Sequence, residues 1–205
     1  MNKNIQIDAK SPVDEAVDSH EKRLTLRSTG ALILCAGLGI GQTVFATSAS
    51  EPHPQNGDQL MSADADGKPV ALRADQIPVN SKPIQVFPFD PKTGEVKNGS
   101  RLNKIILMRL AASELSDEMK AVSANGVVAY SSVCTHQGCE VSEWVAKDKV
   151  LMCYCHFSKF SPALGGEVVS GPAPRTLPLL PLREENGVLV VAGNFTSSPG
   201  VSKQS

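Results

Sequence analysis

Short apolar runs alternate with turn-forming residues from about Pro78 onward, which is the pattern of a β-rich domain. The first two runs flank turn-rich residues and predict a hairpin with a long loop. The last two runs meet across Asn186-Gly187, the dipeptide that two-residue hairpin turns prefer. The strands that the pattern predicts are 84–89, 105–110, 127–133, 177–182 and 188–192. We therefore expect an all-β domain.

One short helix is predicted between Ser113 and Ala124. Ser113 suits the N-cap position, because its hydroxyl can accept a hydrogen bond from a free backbone N–H of the first turn. Glu114, Asp117 and Glu118 add negative charge near the helix start, where the helix dipole favours it.

The first fifty residues are predicted to lie outside this domain. Lys22 and Arg23 precede 23 uncharged residues, from Ser28 to Ser50. A basic flank before an apolar segment is typical of an export signal or a membrane anchor, and Lys22-Arg23 is a degenerate twin-arginine motif. About 20 apolar residues are enough to span a bilayer. We expect export to the periplasmic side, with residues 28–50 as a membrane anchor, and both cleavage and retention of this segment place the domain outside the cytoplasm.

Residues 51–75 are rich in Pro, Asn, Gly, Asp and Ser and contain few large apolar side chains. This composition predicts a flexible linker. The folded domain is then expected over residues 76–197. The chain has 205 residues and a net charge of −1, so it fits one folded domain, and its charge gives no support to nucleic-acid binding.

Two short runs carry the chemistry of the chain. Cys134-Thr-His-Gln-Gly-Cys139 and Cys153-Tyr-Cys-His156 contain four of its five cysteines and two of its four histidines. Each run offers one Cys and one His as metal ligands. Each run also contains a second Cys that is not needed as a ligand. The thirteen residues between the runs are enough for a short strand pair, which would bring the two loops face to face.

Other uses of these residues fit less well. A structural zinc site can use two Cys and two His, but its ligands usually run Cys-x₂₋₄-Cys and His-x₃₋₅-His. Two structural disulfides would leave both histidines idle, and the remaining His20 and His53 lie in the leader and the linker. A 2Fe-2S cluster with two thiolates on one iron and two imidazoles on the other matches the split ligand supply.

With C-T-H-x-G-C, C-x-C-H-x-S and then Gly171-Pro-Ala-Pro174, the chain resembles the Rieske iron–sulfur protein family over about residues 127–193. The resemblance implies an antiparallel β-sandwich with a small cluster-binding subdomain at about 130–176, and one 2Fe-2S cluster per subunit. It implies that Cys134 and Cys153 bind one iron, that His136 and His156 bind the other, and that Cys139 and Cys155 form a disulfide. The residues that it places around these ligands are Ser158, Phe160, Gly171 and Pro172.

The branches of this family differ in what else they need. A ring-hydroxylating dioxygenase needs a further iron held by two more histidines, and the folded part of this sequence has none left. The high-potential members remain: the quinol-oxidising subunit of cytochrome bc complexes and the small subunit of arsenite-oxidase-like periplasmic enzymes. The cytochrome bc branch usually has Leu at the position of Gln137, whereas His156-Phe-Ser-Lys-Phe160 resembles the arsenite oxidase subunit.

The expected function is one-electron transfer by a high-potential cluster, as the iron–sulfur subunit of a quinol:cytochrome c reductase-like complex. Its partners would be cytochromes of b and c type and quinol. The alternative is an electron-transfer subunit bound to a large molybdopterin subunit. A third hypothesis is a redox-sensing or structural module, which would bury its cluster and lack a docking face.

Overall fold

A computed structural model of the chain describes residues 53–63 and 68–202, and this part contains twelve β-strands, one α-helix and four short 3₁₀ helices. These residues belong to one unit, residues 47–205. The strands are β1 Gln59–Ala63, β2 Pro69–Ala71, β3 Ile84–Asp90, β4 Glu95–Val96, β5 Ile105–Arg109, β6 Val127–Ser131, β7 Glu143–Val145, β8 Val150–Cys153, β9 Ser158–Ser161, β10 Glu167–Ser170, β11 Leu182–Glu185 and β12 Val188–Val191. The α-helix is α1 Asp117–Ala121, and the 3₁₀ helices are Ala74–Gln76, Arg101–Asn103, Ala112–Glu114 and Pro162–Leu164.

The strands form two antiparallel sheets, so the predicted all-β, antiparallel fold is confirmed. The larger sheet has the order β11-β12-β1-β3-β5-β6. In addition, β2 pairs with β1, and β4 pairs with β3. The smaller sheet has the order β10-β9-β8-β7 and lies between β6 and β11 in the chain. Its strands and flanking loops correspond to the predicted cluster-binding subdomain.

Strands β5 and β6 are buried on both faces, which explains why their sequences are nearly continuous apolar runs. Because successive side chains of a strand point to opposite faces, the two strands supply two separate cores. Ile106 and Tyr130 face the core that also contains Cys134 and Cys153. The alternate residues of these two strands, such as Leu107, point to the other face, into the core of the larger sheet.

Tyr130 connects the two sheets. Its side chain is fully buried, and its hydroxyl donates a hydrogen bond to the carbonyl of Pro162, which follows β9. Burial raises the pKa of this phenol far above its usual value. A side chain at Gly166 would collide with the carbonyl of Leu177 and press on the Tyr130 ring, so the chain passes closely here only because position 166 is glycine.

The predicted helix exists, but it begins later than expected. Ser116, not Ser113, is the N-cap, and its hydroxyl accepts a hydrogen bond from the backbone N–H of Met119 at 3.3 Å. Ser113 lies within a preceding 3₁₀ turn, Ala112–Glu114.

The hairpin at Asn186-Gly187 is confirmed, and both turn residues have positive φ angles, of 52° and 81°. The prediction of a strand over 177–182 is wrong in position, because the strand before this turn is β11, Leu182–Glu185. The apolar residues before β11 instead lie beside β6. There the Ser131 N–H donates to the carbonyl of Pro178, and the Leu180 N–H donates to the carbonyl of Ala129.

The prediction of a flexible linker over residues 51–75 is wrong where the structure describes it. Strand β1 lies inside the larger sheet, between β12 and β3, and its Leu60 is fully buried. The polar composition of this segment suggests exposure to solvent, but Asp58 is buried. Its charge is compensated by an ion pair with Lys97, 39 residues away. The predicted anchor at 28–50 lies outside the described residues, and none of the helices that the structure describes is long and apolar enough to cross a bilayer.

The ion pair between Asp58 and Lys97 has well-formed geometry. The Lys97 ammonium donates to both carboxylate oxygens, at 2.7 and 2.9 Å, and to the carbonyl of His53 at 3.1 Å. Each side chain is only 4 % exposed. A buried charge that loses its partner is strongly destabilising, because no water replaces the lost interaction.

We therefore predict that Lys97→Met lowers the free energy of unfolding by about 3–5 kcal/mol. Chemical denaturation of the purified protein measures this change. Lys120→Met is the matched control, because Lys120 pairs with Asp117 in solvent and that pair contributes little to stability. Equal effects of the two substitutions would contradict the role given to the buried pair.

Candidate metal centre

The first ligand loop, residues 134–139, follows β6 and is closed by backbone hydrogen bonds. The Cys134 N–H donates to the carbonyl of Cys139 at 2.7 Å, and the Gly138 N–H donates to the carbonyl of Cys134 at 3.0 Å. Val133 and Glu140 pair as a β-bridge at its base. Gly138 has a φ of +75°, a left-handed conformation that favours glycine. The spacing therefore gives a tight loop in which Cys134 is buried and His136 lies nearer the surface.

The second ligand loop connects β8 to β9 as a hairpin. Cys153 and Ser158 are paired across the two strands, so residues 154–157 form the turn. Phe157 takes a positive φ of 60°, which completes the reversal of the chain. The strand pair that leads into this loop, β7 with β8, is the one that the spacing between the two runs predicted.

A disulfide joins Cys139 of the first loop to Cys155 of the second, with 6.5 Å between their Cα atoms. The sulfurs of Cys139, Cys153 and Cys155 all lie within 4.8 Å of one another. Because two of these sulfurs are bonded to each other, only that of Cys153 is a free thiol able to bind a metal. The disulfide thus fixes the distance between the loops beside a ligand position.

The four predicted ligands lie in two pairs, one of thiols and one of imidazoles, and each loop supplies one member of each pair. Cys134 and Cys153 are free, buried thiols in side-chain contact. Burial, followed by the neighbouring Cys153 sulfur, raises the pKa of the Cys134 thiol. The rings of His136 and His156 meet edge to face, with 4.6 Å between their centroids. One sulfur pair lies inside the core and one imidazole pair lies toward the surface.

This donor set fits a 2Fe-2S cluster. Metal binding requires deprotonated thiols, and a bound cation would remove the penalty that keeps the Cys134 thiol protonated. The Nδ1 atom of His136 is buried and has no hydrogen-bond partner among the described residues, so this predicted ligand keeps a buried nitrogen that no protein group satisfies. We expect Cys134 and Cys153 to hold one iron, and His136 and His156 the other.

Ser158 connects the ligand region to the loop at 171–174. Its hydroxyl lies close enough to the Cys134 sulfur to lower the pKa of this thiol, against the larger effect of burial. The same oxygen accepts a hydrogen bond from the backbone N–H of Ala173 at 3.1 Å. Gly171 has a φ of +90°, and a Cβ there would lie 2.5 Å from the Cα of Ser158. The loop therefore packs directly on the second ligand loop.

The other predicted neighbours lie in two different environments. Phe160 on β9 is fully buried and belongs to the same core cluster as Cys134 and Cys153. Pro172 is exposed at the surface.

Two contacts to the first ligand loop come from residues that the sequence did not single out. Arg101 donates to the carbonyl of Gly138 at 2.6 Å, and the Thr135 hydroxyl donates to the carbonyl of Arg175 at 2.8 Å. Arg175 directly follows the Gly-Pro-Ala-Pro run, so its position was a usable signal. Arg101 lies 33 residues before Cys134, and no motif connects it to the site.

The loops present an exposed face around the ligand His156. Tyr154 and Phe157, which flank it, are 57 % and 61 % exposed, and Gln137 of the first loop is also exposed. Aromatic side chains are enriched in surfaces where proteins dock.

Comparison with known proteins agrees with this geometry. The family model described as Rieske [2Fe-2S] domain matches residues 88–181. A Rieske subunit assigned to a respiratory nitrate reductase of Haloferax mediterranei is 36 % identical over 149 residues, covering 72 % of this chain and 63 % of the relative. The cytochrome bc1 complex Rieske iron–sulfur subunit of Corynebacterium diphtheriae is 39 % identical over 107 residues, covering 48 % of this chain and 26 % of that one. The chain thus spans less than two thirds of the length of these curated relatives.

Solved structures resemble the chain more distantly. A hyperthermophilic respiratory complex III chain aligns with a TM-score of 0.39 and 25 % identity, over 62 % of this chain and 76 % of its own length. The soluble domain of Rieske protein II from Sulfolobus acidocaldarius aligns with a TM-score of 0.34 and 27 % identity, over 43 % of this chain and 61 % of its own. These scores are too low to bear on function. The cysteine and histidine pattern, the two facing loops and the family match together show that the chain contains a Rieske [2Fe-2S] domain over residues 88–181, and this domain implies a 2Fe-2S cluster.

Proposed function

We propose that the protein transfers single electrons as the iron–sulfur subunit of a quinol:cytochrome c reductase-like complex. One observation carries the proposal: two disulfide-joined loops each supply one thiol to a buried pair and one imidazole to a second pair, and His156 of that second pair is exposed. When bound, the cluster supplies a centre that takes up and releases one electron.

The protein's own residues divide the remaining work. The buried side chains of Cys134 and Cys153 place the sulfur end of the site in a low-dielectric core, where hydrogen bonds act strongly on its charge. His156 is exposed and offers an electron a route from the site to the surface. The disulfide joins the two ligand loops, and the hydrogen bond from the Ala173 N–H to the Ser158 hydroxyl connects the second loop to residues 171–174.

A redox-sensing or structural module would bury its cluster behind protein, and the exposure of His156, Tyr154 and Phe157 speaks against that hypothesis. Support for a reductase complex comes from the Corynebacterium diphtheriae relative, whose name assigns it to a cytochrome bc1 complex. By this analogy the partners are cytochromes of b and c type and quinol.

A second candidate is the small electron-transfer subunit of an arsenite-oxidase-like periplasmic molybdoenzyme. The observation that favours it is the exposed, polar Gln137 on this face, at a position where the cytochrome bc branch usually has Leu. The Haloferax mediterranei relative, assigned to a respiratory nitrate reductase, also lies outside the bc1 complexes.

We place the domain on the periplasmic side of the membrane. The basic flank and uncharged segment at 28–50 support export and anchoring. The disulfide between Cys139 and Cys155 also supports an oxidising compartment, because disulfides are rare in the cytosol of most organisms.

Affinity purification of the tagged full-length protein in mild detergent distinguishes the two complexes. The reductase proposal predicts that b-type haem, seen in the reduced-minus-oxidised difference spectrum, co-purifies with the cluster in a fixed stoichiometric ratio. Molybdenum by elemental analysis, without b-type haem, would contradict it and favour the second candidate.

Ser158→Ala should lower the midpoint potential of the cluster. The Ser158 hydroxyl stabilises negative charge on the Cys134 sulfur, and that charge grows on reduction. Charge-assisted hydrogen bonds contribute roughly 1.5–3 kcal/mol, and only the difference between oxidation states counts, so the fall should be on the order of tens of millivolts. Redox titration measures it. Ser161→Ala on the same strand is the control, since the carbonyl of Ser161 makes the hydrogen bond to Gly166, and an equal fall in both variants would refute the assignment.

Phe160→Tyr should raise the midpoint potential by a similar amount. A hydroxyl at this buried position adds a donor close to the two ligand sulfurs, which share its core cluster. The titration is the same, and a potential that stays at the wild-type value would remove Phe160 from the account of the site.

A further inference from the structure

The segment that ends the described chain, residues 197–202, passes beside the first ligand loop, and we name it the C-terminal strap. It follows Thr196, whose N–H and hydroxyl both bond to the backbone of Leu179. Only residue 197 of the strap falls within the predicted domain, 76–197, and the matched family region ends at 181, before the strap begins.

Arg175 holds the strap with its whole guanidinium group. It donates to the hydroxyls of Ser197 and Ser202 at 2.9 and 3.0 Å, and to the carbonyls of Ser198 and Gly200 at 2.7 and 2.5 Å. Four hydrogen bonds from one planar group fix both the position and the direction of the segment. Arg suits this role better than Lys, because its guanidinium group holds its donors in a fixed plane.

The strap passes close to the beginning and the end of the first ligand loop. A Cβ placed on Gly200 would lie 3.3 Å from the Val133 side chain, and Val133 immediately precedes Cys134. A Cβ placed on Gly138 would lie 3.8 Å from the Val201 side chain, and Gly138 immediately precedes Cys139. The strap therefore packs against the residues that begin and close the loop.

Arg175 also contacts this loop directly. Its carbonyl accepts the hydrogen bond of the Thr135 hydroxyl, which lies between the two ligands Cys134 and His136. One residue thus binds the loop through its backbone and the strap through its side chain. Arg101 also contacts the loop, because its guanidinium group donates a hydrogen bond to the carbonyl of Gly138.

We propose that Arg175 and the C-terminal strap are positioning elements that hold the first ligand loop in the geometry that the cluster needs. Without them, the loop would keep its disulfide and its own backbone hydrogen bonds but would lose the packing against Val133 and Gly138. The amides of Cys134 and Gly138 would then open more often, and the ligands Cys134 and His136 would take a wider range of orientations.

The inference concerns the same site as the proposed electron-transfer function and rests on it for its meaning, but its first test does not need a cluster. Hydrogen–deuterium exchange of the purified full-length protein reports the opening of the Cys134 and Gly138 amides, which donate to carbonyls within the loop. A failure of electron transfer would leave this readout intact, so the two claims can fail separately.

Two variants test the proposal. Arg175→Met keeps a long side chain but removes all four hydrogen bonds, and truncation after Thr196 removes the strap and leaves Arg175 in place. Exchange at Cys134 and Gly138 should rise at least tenfold in both variants, and their effects should not add in the doubly altered protein, because they break the same interaction. In cluster-loaded protein, the electron paramagnetic resonance lines of the reduced cluster should broaden in both variants.

Arg183→Met is the matched control. Arg183 also makes several hydrogen bonds, to Glu185, Asn56 and the carbonyl of Val191, but none of them reaches a ligand loop. It should leave the exchange at Cys134 and Gly138 and the resonance spectrum unchanged. Wild-type exchange in the Arg175→Met and truncated proteins would overturn the proposal, as would an equal effect of Arg183→Met.

Discussion

The site depends on two ligand loops that face each other. The proposed cluster would take two thiolate sulfurs and two imidazole nitrogens, and these come from separate parts of the chain. The disulfide between Cys139 and Cys155 sets the distance between the loops without using a ligand. Backbone hydrogen bonds within the first loop and the hairpin register at Cys153 and Ser158 then set the direction of each side chain. The predicted ligands thereby lie at different depths, with the Cys134 and Cys153 side chains buried and the two imidazoles nearer the surface.

The rest of the fold supports that arrangement through strands with two buried faces. Strand β6 packs against both cores and ends three residues before Cys134, so the first predicted ligand follows a fully buried strand. Tyr130 of the same strand joins the smaller sheet through Pro162. The second ligand loop grows from that smaller sheet. Rigid strands therefore position both loops, while the loop tips stay accessible to a partner.

Local signals in the sequence predicted the site and much of the sheet, whereas long-range pairing escaped them. Asn186-Gly187 specifies its turn by backbone conformation, and a strand buried on both faces reads as a continuous apolar run. Strand β1 could not be found this way, because its flanking Asp58 looks like a linker residue until Lys97 is placed beside it. Arg175 was visible next to the Gly-Pro-Ala-Pro run, but its role depends on a strap that begins 22 residues later.

The central claim is that the metal pair is held asymmetrically, with Cys134 and Cys153 on one iron and His136 and His156 on the other. Mössbauer spectroscopy of the iron-57-loaded full-length protein tests it most directly, because the isomer shift of each iron reports its ligands. Two signals of equal area with clearly different isomer shifts are predicted, and the added electron should change only the signal of the nitrogen-bound iron. A single signal from two equivalent irons, or the absence of iron in protein produced with ample iron and sulfide, would contradict the account.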